Sequence, residues 1–121
     1  MDVVYREPLH AVVGEKAGAV DLMCEMSLLA SKLTSCVKPK WFYNGNVLPV
    51  VNPSNNRAED HLRGDYRLKT SQIGRKLVIR ISTEVEFGQY RVLFLGKKSN
   101  EVTLTGRGNY NLPVDVVIKY L

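Results

Sequence analysis

The sequence predicts an all-β sandwich, and three observations carry that expectation. Short stretches of alternating apolar and polar residues follow one another at regular intervals, separated by turn chemistry. No stretch keeps a helical period for three turns, and there is no internal repeat or low-complexity tract. The chain has 121 residues, 45% apolar and 24% charged, which is room for one domain around one core.

The first strand is expected over Pro8–Val13, ending at Gly14, after a lead-in of residues 1–7. A second covers Ala17–Ser27, where Val20, Leu22, Cys24 and Met26 alternate with polar neighbours and so share an inner face. Leu28–Cys36 is a long connection with room for a helical turn. The next strand, Lys38–Tyr43, ends at Asn44-Gly45, a dipeptide that tolerates positive φ at both positions and is the strongest hairpin signal in the chain. A short strand over Val47–Val51 follows, and then Asn52–Arg57 reads as a loop. Asp65–Thr70 and Lys76–Ser82 are expected to pair around Gly74. Gly88–Leu95 is the next strand, and Gly96–Asn100 is read as the turn into Glu101–Thr105. The domain therefore occupies 8–106, and 107–121 is a linker or an additional C-terminal strand, Val114–Tyr120.

The order of Cys24, Trp41, Leu77-Val78-Ile79 and Glu86-Phe87-Gly88-Gln89-Tyr90-Arg91-Val92 resembles an immunoglobulin domain of the I-set type. The family has a strand B cysteine, a strand C tryptophan, a strand E Leu-x-Ile, and Asp-x-Gly-x-Tyr-x-Cys on strand F. Here Glu86 stands in place of the Asp and Val92 in place of the second cysteine. The resemblance implies an immunoglobulin-like Greek-key β-sandwich that lacks the B–F disulfide. Its structural core would include Cys24, Trp41, Leu77, Ile79, Gly88, Tyr90 and Val92. Tyr90 would form the tyrosine corner, bonding back to the backbone near Glu84–Glu86, and Gly88 would fit where a Cβ would clash. Loss of the second cysteine is common in intracellular domains of muscle and cytoskeletal proteins, and the chain is similar to modules of titin, obscurin, myosin-binding protein C and palladin.

A B–F bridge closing a loop of this length would contribute roughly 4 kcal/mol, which a secreted domain would normally keep and a cytosolic one could not rely on. Cys36 falls on the opposite side of its strand from the core, so it is not placed to pair with Cys24. These points favour an intracellular, cytoplasmic or cytoskeletal setting over an extracellular one. Residues 1–7 lack the apolar core of a signal peptide, and no apolar run approaches the roughly 18 residues that span a bilayer.

The net charge of +5 raises the question of an acidic partner. With Leu77 and Ile79 inward, Lys76 and Arg80 face outward, and Arg67 and Lys69 join them from the preceding strand. Asp21 and Glu25 on the neighbouring strand B are expected to pair with much of this stripe. Arg67 and Lys69 then remain as basic candidates on a sheet edge, where cations also deter aggregation. On the other sheet, Phe42, Leu93 and Leu95 are expected to form an exposed apolar patch flanked by Lys40 and Arg91, a composition typical of protein interfaces. Folding of Val114–Tyr120 over that face is the competing expectation.

Catalysis finds no support. His10 and His61 lack partners at metal-ligand or triad spacing, and no cofactor is expected. Stacking aromatics are not interleaved with the cations, so nucleic acid is not an expected partner, nor is a membrane. Asn52-Pro53-Ser54 is blocked as a glycosylation site by its proline, and Arg63-Gly64-Asp65 reads first as an ordinary turn rather than an integrin motif. The expected function is a non-enzymatic protein–protein interaction module of a larger cytoskeletal or sarcomeric scaffold. It would dock a partner through the C–F–G face or a sheet edge, where a homo-oligomer is a further option. The alternatives are an extracellular cell-adhesion or receptor domain and a basic actin-binding module.

Overall fold

In the computed structural model, residues 3–13, 20–52, 58–63, 66–81, 87–105 and 117–120 are described. The strands, in chain order, are β1 His10–Val13, β2 Val20–Glu25, β3 Lys40–Tyr43, β4 Asn46–Val47, β5 Val50–Asn52, β6 Ala58–Arg63, β7 Tyr66–Ile73, β8 Lys76–Ile81, β9 Gln89–Phe94, β10 Lys97–Lys98, β11 Val102–Thr105 and β12 Val117–Tyr120. One short helix, α1 Leu28–Lys32, runs into a 3₁₀ turn over Leu33–Ser35.

The strands form two antiparallel sheets, ordered β1-β2-β8-β7-β6-β5 and β12-β11-β9-β3-β4, with β10 also paired to β9. The fold is an all-β sandwich. β2 lies beside β8, and β3, β9 and β11 share the other sheet, as the sequence predicts. Alternation sets the layers. Val20, Leu22, Cys24 and Met26 are buried, as are Trp41, Tyr90, Val92, Phe94, Leu77 and Ile79, and they belong to one core cluster fed by both sheets. Cys24 and Cys36 are free thiols, the first buried and the second exposed.

Two tight hairpins fix the second sheet. Asn44 and Gly45 have φ of 49° and 84° between β3 and β4, the positive pair that a type I′ turn requires. Leu95 and Gly96, at 52° and 74°, do the same between β9 and β10. This second turn corrects an expectation. Lys97 and Lys98 are not turn residues but pair with Phe94 and Leu93. Beyond them three residues, Ser99 to Glu101, stand opposite two, Arg91 and Val92, before Val102 pairs with Tyr90, which is a β-bulge. Ser99 closes it, its N–H donating to Val92 O at 2.8 Å and its Oγ accepting from Val92 N at 3.0 Å.

The first sheet also departs from expectation. The predicted strand over 47–51 splits at Leu48-Pro49. Val47 pairs with β3, whereas Val50 pairs with β6 in the opposite sheet. Proline cannot donate to a ladder, and buried Leu48, whose N–H donates to Trp41 O at 2.8 Å, marks the crossing. β6 itself, Ala-Glu-Asp-His-Leu-Arg, was not expected. It pairs along β7 from Ala58↔Ser71 to Arg63↔Tyr66, so β7 is an interior strand.

Residues 3–9 tie the two layers together. Ser27 N donates to Val4 O and Arg6 N to Glu25 O on the β2 side. Toward the other sheet, Tyr5 Oη donates to Lys97 O at 2.8 Å. Asn100 meets Leu9 reciprocally, accepting from its N–H at 2.7 Å and donating to its carbonyl at 2.9 Å. Val117–Tyr120 pairs edge to edge with β11.

Two substitutions test this frame. A Cβ on Gly88 would lie 2.6 Å from Tyr43 Cε1 and 2.7 Å from Asn44 Oδ1, the oxygen that accepts from Gln89 N. Gly88→Ala should therefore cost about 2 kcal/mol or more in urea denaturation. Asn100→Ala removes both bonds to Leu9 and leaves part-buried backbone groups unpaired, so a loss of about 1–3 kcal/mol is expected.

Candidate functional site

The face predicted for docking is built from the outward residues of β3 and β9. Trp41 opposes Val92 and Tyr43 opposes Tyr90 on the inner side, with the two tyrosine rings 5.1 Å apart. By the same register Lys40 opposes Leu93 and Phe42 opposes Arg91 on the outer side. Four of the five predicted residues are thus brought together as two adjacent cross-strand pairs. Lys40 is exposed, while Phe42, Leu93 and Arg91 are half-buried, so the apolar patch is shallower than the sequence implies. Leu95 is not part of it. Its left-handed turn conformation packs the side chain against the core.

Arg91 is held loosely. Its Nη2 lies 3.8 Å from Glu101 Oε2 across the bulge, and its Nε is buried without a hydrogen-bond partner among the described residues. Being buried, that donor faces the protein and not the solvent.

On the first sheet, Asp21 opposes Arg80 and Glu25 opposes Lys76. Arg80 meets Asp21 through two bonds, Nε–Oδ1 at 2.9 Å and Nη2–Oδ2 at 3.2 Å, which hold the guanidinium pKa above its ordinary value. At this exposure such a pair is worth roughly 0.2–1 kcal/mol. Lys69 is exposed, but β7 carries β6 on its outer side. Lys69 and Arg67 are therefore not edge residues, because the sheet continues for two strands past them.

Among the other candidates, His10 Nδ1 lies 2.8 Å from Pro8 O. No group of three His, Cys, Asp or Glu side chains is placed to hold a metal ion among the described residues. No helix there is long and apolar enough to cross a membrane. Gly64, Asp65, Glu84 and Glu86 lie outside the described residues, and with them the expected acceptor of the Tyr90 corner.

A second concave site was not predicted. The helical connection stands off the β7–β8 hairpin and leaves an open cleft of about 510 Å³ beside it. Buried Trp41, Leu77 and Thr70 form its floor, and exposed Leu28, Lys32 and Lys38 form its rim. Ser27 caps α1 by accepting from Ala30 N at 3.1 Å, and Gln72 Nε2 donates to Ser31 O at 3.4 Å across the cleft. A serine before Leu-Leu-Ala-Ser-Lys is a readable helix start; the cavity beneath it has no signature in sequence.

No protein-family model matches the chain, and no curated protein matches it either.

The buried thiol gives a measurable consequence. Burial pushes the Cys24 pKa from 9.0 up to about 12, and burial likewise raises that of the Tyr5 hydroxyl. Between pH 9 and 12 the unfolded chain gives up the Cys24 proton while the folded chain keeps it, so stability falls as pH rises through that window. Thermal melts above pH 9 should show this decline, and Cys24→Val should make it shallower. In native protein a thiol reagent should modify Cys36 at once and Cys24 only after denaturation.

Proposed function

We propose that the chain is an I-set-type immunoglobulin module of a larger intracellular scaffold, cytoskeletal or sarcomeric, and that it binds protein partners without catalysing a reaction. Its docking surface is the outer side of β3 and β9. The observation that carries this reading is the pairing of Phe42 with Arg91 and of Lys40 with Leu93 on adjacent strands, with Arg91 held among the described residues by a long 3.8 Å contact to Glu101. An aromatic and an arginine, half-desolvated and rimmed by a cation, are the residues on which binding energy concentrates. Half-burial suits the role, because a rigid side chain loses little entropy when a partner covers it.

The intracellular assignment is supported by the chemistry of the core. Val92 leaves Cys24 without a bridging partner, and the thiol sits reduced among apolar neighbours, which suits a compartment where disulfides do not persist. The basic actin-binding alternative draws less support, since Arg80 is engaged by Asp21 and Arg67 and Lys69 are on an interior strand.

Affinity capture from muscle and non-muscle cytoskeletal extracts tests the proposal. The wild-type domain should retain a cytoskeletal protein, and Phe42→Ala or Arg91→Ala should weaken that retention about thirtyfold, the equivalent of roughly 2 kcal/mol at a central interface residue. Melting temperatures within a few degrees of wild type would show that the variants still fold. Unchanged retention by both variants would rule the β3–β9 face out, and capture of cell-surface proteins in place of cytoskeletal ones would move the module outside the cell.

A further inference from the structure

We propose that the cleft between the helical connection and the β7–β8 hairpin is a second docking site, which takes a short acidic segment of a partner protein anchored by one apolar side chain. It lies apart from the β3–β9 face and does not depend on that face being used.

The cavity, at about 510 Å³, is within the range of about 300–1,000 Å³ in which proteins hold ligands. Its floor combines the buried apolar side chains of Trp41 and Leu77 with Thr70, so an apolar group fits against the first two. Its rim is cationic. Lys32 and Lys38 are exposed and have no ion pair among the described residues, and Arg75 adds a third positive charge whose only contact of that kind is with Glu25 at 3.9 Å. No acidic side chain lines the cavity among the described residues. A chain with a net charge of +5 draws acidic partners in its encounter field, and this rim gives them a place to settle.

The surroundings favour a polypeptide over a small anion. Exposed Leu28 lines the cleft, and the same connection also exposes Leu29, Leu33 and Val37. A free phosphate would not cover Leu28, whereas a peptide crossing the cleft would bury it. Ser31, Thr34, Ser35 and Ser71 line the walls. The Ser31 and Thr34 hydroxyls already donate to Leu28 O and Ser31 O and keep lone pairs for the amides of such a segment.

Trp41, the only tryptophan of the chain, lies on the floor and reports occupancy. Short peptides selected from a random displayed library on the full chain, with depletion against the Lys32→Glu/Lys38→Glu double variant, test the site without prior choice of ligand. The recovered peptides should carry acidic residues around one apolar residue and should change Trp41 emission. They should bind the double variant about tenfold more weakly, less so at high salt, and Phe42→Ala as tightly as wild type. Lys32→Gln/Lys38→Gln, which introduces no new charge, should show a smaller loss in the same direction. Recovery of basic or neutral peptides, of peptides that leave Trp41 emission unchanged, or of none that discriminate the double variant would overturn the proposal. So would an equal emission change on adding inorganic phosphate alone.

Discussion

Trp41 opposes Val92 across β3 and β9, and Cys24 opposes Leu77 across β2 and β8, and all four are buried in a single core. These two registers determine every other assignment of side chains to faces. Side chains alternate with a period of two, so a slip of one residue would turn a strand over. In β3–β9 that would set Phe42 or Arg91 inward, and in β2–β8 a charged pair, Asp21 and Glu25 or Lys76 and Arg80. The charged residues forbid that slip. Asp21, Glu25, Lys76 and Arg80 all sit at outward positions between the buried ones, and turning any of them inward would bury an ion among apolar side chains.

With no bridge between the layers, the sandwich depends on that core and on the strap formed by residues 3–9. The strap bonds to β2 on one side and to the β9–β11 hairpin on the other. A disulfide would act mainly on the unfolded chain. The strap acts on the folded one, by satisfying backbone groups at the rim of both sheets. The bulge at Ser99–Glu101 belongs to the same device, since it brings Asn100 to Leu9 and places Glu101 within reach of Arg91. One extra residue in a strand thus serves both the joining of the layers and the outer face.

The buried alternations were legible because they use residues whose burial is costly to forgo. Val20, Leu22, Cys24 and Met26 declare a strand and its inner face at once. So does Asn44-Gly45, because few other pairs adopt its backbone. β6 was not legible. Ala58–Arg63 has no β-branched or aromatic residue, and it is a strand because β7 offers it a ladder. Leu95 misled for a related reason. Parity extends a strand indefinitely, but the chain turns at Leu95-Gly96, and a leucine at positive φ is uncommon enough that sequence gives no warning of it. Phe42, Arg91, Leu93 and Lys40 lie within the regular part of the ladder, so their outward placement does not depend on that turn. The cleft was invisible, since a cavity arises from how two segments fail to close on each other and not from either alone.

The charges divide by side-chain type in a way that bears on both surfaces. Arg75, Arg80 and Arg91 each lie within 4 Å of a carboxylate of the same domain. Lys32, Lys38 and Lys40 are exposed and form no ion pair among the described residues. The guanidinium fork suits fixed partners, whereas the ammonium on its flexible stem stays hydrated and mobile. Arg80 is thus fixed by Asp21, Arg75 and Arg91 are held by longer contacts, and lysines remain at the rims of the cleft and of the β3–β9 face. Exposed lysines contribute little to stability where they are. On the two proposals their effect would fall on encounter, by raising the rate at which acidic partners arrive, and the Phe42–Arg91 pair or the floor of the cleft would set how long a partner stays.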